Sequence, residues 1–336
     1  MRRKESKPGA SQADPVVSGW RYRALVLSVL AAALGYLLVA VLSGWSDVLA
    51  ALAQVGALGV VIALFLSSIN YLSRFLRWQL YLRTLGHVVP WARSLHIYLA
   101  GFALTTTPGK AGEAFRGVLL KRHGVSYPDS FAAFLSERLS DLIAILLLTL
   151  FGLTMYPAAL PVTLLGAGLA TALLLLLSRA EWLSLLQEKV AVPGRLAKWI
   201  GHGWEILQQA SRCHRPNTLA LATALSLTGW AVEAYAFYLI LQWMGLAIEF
   251  QFAVFVFAFG MLAGALTLTP GGLGSTEGVM AGLLVWQGVS LPEAVAATII
   301  IRMTTLWFAV ALGVAMLLFS SPFRPSQFLT QTQRER

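Results

Sequence analysis

Only one cysteine, Cys213, occurs in 336 residues, which leaves the chain without an internal disulfide and without a Cys-based metal cluster. Histidine is almost as scarce, with five scattered residues and no His-Glu-x-x-His spacing to set two imidazoles on one helix face. Charged side chains make up 12% of the sequence, where a soluble domain carries ~25%. That shortage excludes a soluble globular fold. Most informative is a gap in the basic residues, since neither lysine nor arginine occurs between Arg215 and Arg302.

Apolar residues fill the space, at 57% of the chain and a mean hydropathy of +0.71, which is the composition of a multi-span membrane protein. A basic tail over 1–23 (Arg2, Arg3, Lys4, Lys7, Arg21, Arg23) leads into a first apolar run. The run exceeds the ~7–15 residues of a signal-peptide core, so it reads as an uncleaved span. Further spans are expected at about 48–70, 128–155, 162–177, 219–243 and 292–319. Two other apolar stretches are interrupted, 91–120 by Pro108-Gly109 and 250–287 by Pro270-Gly271-Gly272. Half-length pieces joined at a Pro-Gly break predict re-entrant hairpins. The expected fold is an all-α integral membrane protein of six transmembrane helices plus two re-entrant helical hairpins.

The net charge of +10 invites a nucleic-acid reading, yet the basic residues lie in short segments flanking apolar runs. In that position they orient spans across the bilayer. Arg74, Arg77 and Arg83 are read in this way, as the basic flank that closes the second span. The rule places both termini in the cytoplasm, with a multi-pass domain over 24–320 in the inner (plasma) membrane and a second tail at 321–336. The linker over 179–216 interleaves Lys189, Arg195, Lys198, Arg212 and Arg215 with Trp182, Trp199 and Trp204, which predicts an amphipathic helix on the cytoplasmic surface.

The two interrupted stretches are copies of one pattern. Thr105, Thr107, Pro108, Gly109 and Gly112 match Thr267, Thr269, Pro270, Gly271 and Gly274 at one constant offset. After a two-residue insertion, Glu113 matches Glu277, Gly124-Val125-Ser126 matches Gly288-Val289-Ser290, Pro128 matches Pro292, and Arg138 matches Arg302. Repeat one covers about 48–155 and repeat two about 217–319. An odd number of crossings separates the hairpins, so the repeats are expected to be inverted, a construction that secondary transporters use.

Charges within apolar segments cost ~2.5–3.5 kcal/mol each at mid-bilayer and must pair or face water. They are Glu113, Arg116, Glu137, Arg138 and Asp141 in the first repeat, and Glu233, Glu277 and Arg302 in the second half. Arg138 and Arg302, each about ten residues into a span from opposite faces, are expected to reach the midplane, where guanidinium groups suit phosphate. Glu137 and Asp141 share a helix face. They serve either as ligands or as a cluster pinning the third span to Glu113 and Arg116. Glu113 and Glu277 complement half-helix N-termini, couple protons, or touch a cationic head group. The threonines at the breaks are expected to satisfy freed backbone groups. No histidine follows the Gly-Leu-Gly-Ser stretch ending at Ser275, which argues against a serine hydrolase, and the glycine run lacks the lysine of a P-loop.

Four motifs carry a resemblance: PGKAGEAFR (108–116), SERLSDL (136–142), PGGLGSTEG (270–278) and IRMTTLW (301–307). In this order and spacing they resemble the lysylphosphatidylglycerol synthase membrane-domain, flippase-like family, over roughly residues 20–320. The resemblance implies a protein that moves lipids between leaflets, with Glu113, Arg116, Glu137, Arg138, Asp141, Glu277 and Arg302 at the site. It also implies a stand-alone member without the soluble synthase domain, hence not itself an enzyme. Ser275-Thr276 stands where members commonly carry a basic residue before the glutamate.

The expected activity is therefore flipping of an anionic phospholipid or lipid-linked phosphate by alternating access. The alternatives are an intramembrane lipid-modifying enzyme, or a scaffold subunit of a lipid or glycolipid pathway. Expected partners are the bilayer and a lipid with an anionic head group, with a lipid-biosynthesis enzyme and further copies of the chain as candidates. No cofactor, metal or nucleic acid is expected.

Overall fold

The computed structural model describes residues 45–107, 111–178, 195–267 and 269–318. The first predicted span, both tails, the hairpin-break residues Pro108 and Gly109, and the start of the central linker lie outside the described residues.

Every regular element among the described residues is helical. The longest, α1 (Trp45–Thr84), has 40 residues and bends at Gly56, whose φ of +69° no helix accommodates. It outruns the predicted end of span two at residue 70, because arginine sustains a helix as well as leucine does. The basic segment taken as a flank is thus the last third of a continuous helix.

Next come α2 (Trp91–Gly101) with a 3₁₀ turn at Phe102–Leu104, a second 3₁₀ turn at Ala111–Phe115, and α3 (Arg116–Lys121). After these stand α4 (Tyr127–Gly152), α5 (Leu160–Ser178), α6 (Arg195–Cys213) and α7 (Pro216–Trp243). The second half continues with α8 (Phe250–Leu266), α9 (Ser275–Trp286), α10 (Leu291–Arg302), a π turn at Met303–Trp307, and α11 (Phe308–Leu318).

Among the described residues, four helical stretches are long and apolar enough to cross a bilayer: Ser46–Thr84, Pro157–Leu177, Pro216–Trp243 and Leu291–Leu318. They correspond to predicted spans two, four, five and six. The third predicted span is α4, whose 26 residues make ~39 Å of helix, but its middle carries Glu137, Arg138 and Asp141. By contrast, α2 with 11 residues and α9 with 12 are only ~17–18 Å long, well short of a ~30 Å hydrocarbon core.

The duplication survives in local structure. Ser126 caps α4 by accepting from the Asp129 amide at 3.2 Å, and Ser290 caps α10 by accepting from the Glu293 amide at 3.4 Å. Both helices carry proline in their first turn, and each cap follows a glycine of positive φ, Gly124 at +79° and Gly288 at +97°.

Packing joins the halves. Helix α7 lies along α1, α8 lies against both α4 and α9, and α11 presses on the turn at the end of α2. That last contact is closest at Gly313, where an added Cβ would sit 2.1 Å from the backbone nitrogen of Ala103. Helix α6 packs across α4 and α5, so the amphipathic linker helix is docked on the bundle as well as polar on one side.

Candidate functional site

Two helices supply most of the site. On α1, Arg74 and Arg77 stand three apart, and on α4, Glu137 and Asp141 stand four apart, so each pair shares one helix face. The first hairpin adds Glu113 and Arg116, and Arg138 follows Glu137. Asp141 Oδ1 accepts from Arg77 Nη1 at 2.6 Å and from the Trp230 indole at 3.0 Å. Glu137 Oε2 accepts from Arg116 Nη2 at 2.6 Å, while Arg77 Nη2 stands 4.0 Å from Glu137 Oε1. Glu113 accepts from Thr105 Oγ1 at 3.0 Å, from Arg138 Nη2 at 3.4 Å and from Arg74 Nη2 at 3.5 Å. Arg138 also lies 3.2 Å from Asp141 Oδ2.

Aromatic faces complete the enclosure. The Arg116 guanidinium sits 4.3 Å from the Trp78 ring centroid and 4.8 Å from that of Tyr98, and Arg74 lies 5.2 Å from that of Phe102. Cation–π attraction offsets part of the desolvation of a buried arginine. Arg77 also hydrogen-bonds the Ser226 hydroxyl on α7. In this network four guanidinium groups face three carboxylates. Arg74, Arg77 and Arg116 are buried, whereas the Arg138 side chain is 22% exposed.

Five predicted residues, Glu113, Arg116, Glu137, Arg138 and Asp141, therefore meet in one cluster, and the pinning of α4 to the first hairpin is the Arg116–Glu137 pair. Arg74 and Arg77 are the residues that sequence reasoning missed, having been assigned to the membrane flank. Their signal was spacing: three apart among Asn70, Tyr71, Ser73 and Trp78, they continue a buried face.

The remaining two predicted residues meet in the second hairpin. Arg302 Nε donates to Glu277 Oε1 at 2.6 Å, and Arg302 Nη2 donates to the carbonyl of Gly271 at 2.6 Å. Glu277 Oε2 in turn accepts from the Gly274 amide at 2.7 Å, closing the first turn of α9. Gly271, Gly272 and Gly274 all have positive φ, the geometry that a reversal of this tightness needs. The break threonines act as expected in part. Thr107 donates to the Leu104 carbonyl at 2.8 Å and Thr267 to the Gly264 carbonyl at 3.3 Å, but Thr105 spends its hydroxyl on Glu113.

Glu233 is buried on α7, one turn beyond Trp230. Arg302 is followed directly by the π turn, a feature no residue pattern announced. Tyr71 on α1 donates its hydroxyl to the Thr305 carbonyl within that turn.

Between α4, α5, α7 and the second hairpin lies a cavity of about 280 Å³. Its walls are largely aliphatic, with Leu139, Ile145 and Leu173 among them, while Arg138, Asp141 and Thr276 supply the polar edge beside Gly271 and Gly272. One surface thus joins the charged cluster of the first half to the backbone break of the second. An arginine at the edge of an apolar chamber can bind an anion whose remaining body is hydrocarbon.

With this geometry in hand, relatives place the chain. Residues 25–313 match the family described as the lysylphosphatidylglycerol synthase TM region. The chain belongs to that family. Among relatives, a UPF0104 membrane protein of Methanothermobacter thermautotrophicus is 25% identical over 318 residues, spanning 87% of this chain and 93% of that protein. Another UPF0104 membrane protein of the same organism is 27% identical over 315 residues, 86% of this chain and 91% of its own length. One from Methanocaldococcus jannaschii is 27% identical over 220 residues, 64% of this chain and 92% of that protein. The family match over residues 25–313 spans both hairpins and both charge clusters.

Proposed function

We propose that this family member moves an anionic lipid between leaflets, binding its phosphate at Arg138 while its acyl chains remain in hydrocarbon. The cavity carries this reading: an apolar chamber whose polar edge holds the partly exposed member of a network in which guanidinium groups outnumber carboxylates. A phosphate at that edge would bring the missing negative charge. Binding would draw Arg138 away from Glu113 and Asp141, and those carboxylates keep Arg74 and Arg77 as partners. Losing one contact in a shared network costs less than stripping a lone ion pair.

Arg302 takes a different part from the one its repeat position suggested. Its two hydrogen bonds to Glu277 and Gly271 hold the second break in shape, so it acts on the lipid through the hairpin tip. Alternating access would follow if six spans carry the two hairpins as inverted repeats, and the matched caps, glycines and Arg–Glu pairs of the two halves support that arrangement. The same reading puts the protein in the inner (plasma) membrane with both termini cytoplasmic, and makes it a carrier without catalytic chemistry of its own.

Leaflet exchange of fluorescent phosphatidylglycerol in proteoliposomes tests the proposal. Protein-dependent exchange that falls at least tenfold in Arg138→Ala supports it. Absence of exchange by correctly inserted wild-type protein, across anionic phospholipids and polyprenyl phosphates, rejects it.

A further inference from the structure

Arg138 accounts for the phosphate but leaves the rest of the polar edge unexplained. Two more polar groups border the same cavity without a hydrogen-bond partner: Asp141 Oδ2 and Thr276 Oγ1, on residues 5% and 0% exposed. Asp141 is oriented from its other oxygen, where Arg77 and Trp230 both donate to Oδ1. Oδ2 has only the ion-pair contact to Arg138 at 3.2 Å, which phosphate binding would weaken. Thr276 is wedged against the second hairpin, where a Cβ on Gly264 would meet its hydroxyl at 2.2 Å and one on Gly272 at 2.7 Å.

A buried carboxylate oxygen with no donor is costly, and it stays costly unless the ligand brings a donor of its own. A phosphomonoester dianion or a simple phosphodiester brings none. The ligand must then carry either an ammonium or a hydroxyl beside its phosphate, and electrostatics separates the two. Around Asp141 stand Arg77, Arg138 and Arg74, opposed by Glu137 and Glu113. With Arg116 included and the phosphate bound, four guanidinium groups meet three carboxylates and one phosphate, a balance that an ammonium would upset and a hydroxyl keeps. Thr276 fits the second case too, since a hydroxyl both donates to and accepts from another hydroxyl.

We infer that the lipid carried is a hydroxylated anionic one, a phosphodiester bearing a polyol or sugar, whose hydroxyls bond Asp141 Oδ2 and Thr276 Oγ1 while Arg138 holds its phosphate. This rests on the transport reading and narrows it, making Asp141 and Thr276 the residues that set head-group specificity.

The test is a comparison of exchange rates among lipids of identical acyl chains, reconstituted in the same vesicles. The probes are fluorescent phosphatidylglycerol and phosphatidylinositol, phosphatidylmethanol as the phosphodiester without a hydroxyl, and phosphatidylethanolamine as the ammonium. Wild type should exchange the two hydroxylated lipids roughly tenfold faster than phosphatidylmethanol, the scale of one charge-assisted hydrogen bond. Phosphatidylethanolamine should be slowest. In Asp141→Asn the ratio of phosphatidylglycerol to phosphatidylmethanol should fall to about two or less.

Because Asp141 also anchors Arg77, Thr276→Val is the second variant, uncharged and nearly isosteric, and it should reduce the same ratio about threefold. A ratio within one preparation does not depend on how much protein is folded. Equal rates for all anionic lipids, or a ratio unmoved in both variants, would overturn the inference and leave lipid transport standing. Fastest exchange of phosphatidylethanolamine would also overturn it, in favour of an ammonium. Trapped glycerol 3-phosphate separates a soluble phosphate ester from a lipid: its retention is expected, and protein-dependent release would overturn the lipid assignment. No exchange of any probe would reject the transport reading itself.

Discussion

Arg302 stands to Glu277 as Arg138 stands to Glu113: each arginine bonds the glutamate 25 residues before it, across the end of a hairpin. The two pairs differ in strain of purpose. At 2.6 Å and buried, Arg302 is committed to Glu277, while Arg138 reaches Glu113 at 3.4 Å and keeps 22% of its side chain exposed. One copy of the motif is closed as a brace, and the other keeps part of its guanidinium side chain exposed.

Arg77→Ala and Arg138→Ala should therefore fail in different ways. Arg77 is fully enclosed between Asp141 and Glu137, and its loss strands buried carboxylates at a cost of ~3–5 kcal/mol. Arg138→Ala should cost on the order of 1 kcal/mol while abolishing exchange. Thermal unfolding of detergent-purified protein, followed by size-exclusion fluorescence, reads the first effect, and vesicle assays read the second.

Breaking the brace gives an asymmetric result as well. Arg302→Met alone leaves Glu277 unpaired, and the expected loss is ~3 kcal/mol. Pairing it with Glu277→Leu should recover most of that stability, since an apolar pair of similar volume removes the desolvation penalty. Exchange should stay impaired in the double variant because Gly271 has lost its donor. Recovery of transport along with stability would show that the hairpin tip needs no arginine.

Gly313→Ala should destabilise the fold by ~2 kcal/mol or more, because the new methyl would meet the Ala103 backbone nitrogen, which has no room to move. Gly168 in α5 has open space around its added Cβ. Gly168→Ala should thus be neutral or slightly stabilising, by up to ~1 kcal/mol. The melting temperatures of the two variants, measured side by side, check the packing of α11 on the 3₁₀ turn at the end of α2.

Cys213 offers a chemical check on the docking of α6. Burial pushes its thiol up to about 12, so the reactive thiolate is scarce at neutral pH and stays scarce well into the alkaline range. Native protein should resist maleimide between pH 7 and 9, and unfolding in dodecyl sulfate should expose the thiol fully. Rapid native labelling would show that α6 does not lie against α4.

Helical content, the second backbone break and most of the charged cluster were legible from residues. Pro-Gly pairs and intramembrane charges are rare enough in apolar sequence that each marks a constraint. Three things were not legible. Arg74 and Arg77 look like a basic flank because positive-inside signals and buried arginines use the same residue type, and only their partners, Glu113 for Arg74 and Asp141 for Arg77, distinguish them. The π turn after Arg302 escaped because an extra residue in a helical turn leaves no periodic mark, and its freed carbonyl finds Tyr71, more than two hundred residues earlier. The opposite fates of the repeated arginines were also hidden, since they depend on distances and not on identity.

The pairing of Arg77 with Asp141, 64 residues further on, bears on how the protein is made. Synthesis runs from the N-terminus, so α1 is complete before the first carboxylate of α4 has been added to the chain. Until then Arg77 lacks both of its acidic partners, at a penalty of ~2.5–3.5 kcal/mol if it enters hydrocarbon, while Arg74 meets Glu113 only once the first hairpin has been made. The nascent helix must hold that end near the membrane surface, or in the keeping of the insertion machinery, until α4 arrives. The charge network is thus a late closure in biogenesis, and α1 reaches its final depth only when α4 comes to meet it.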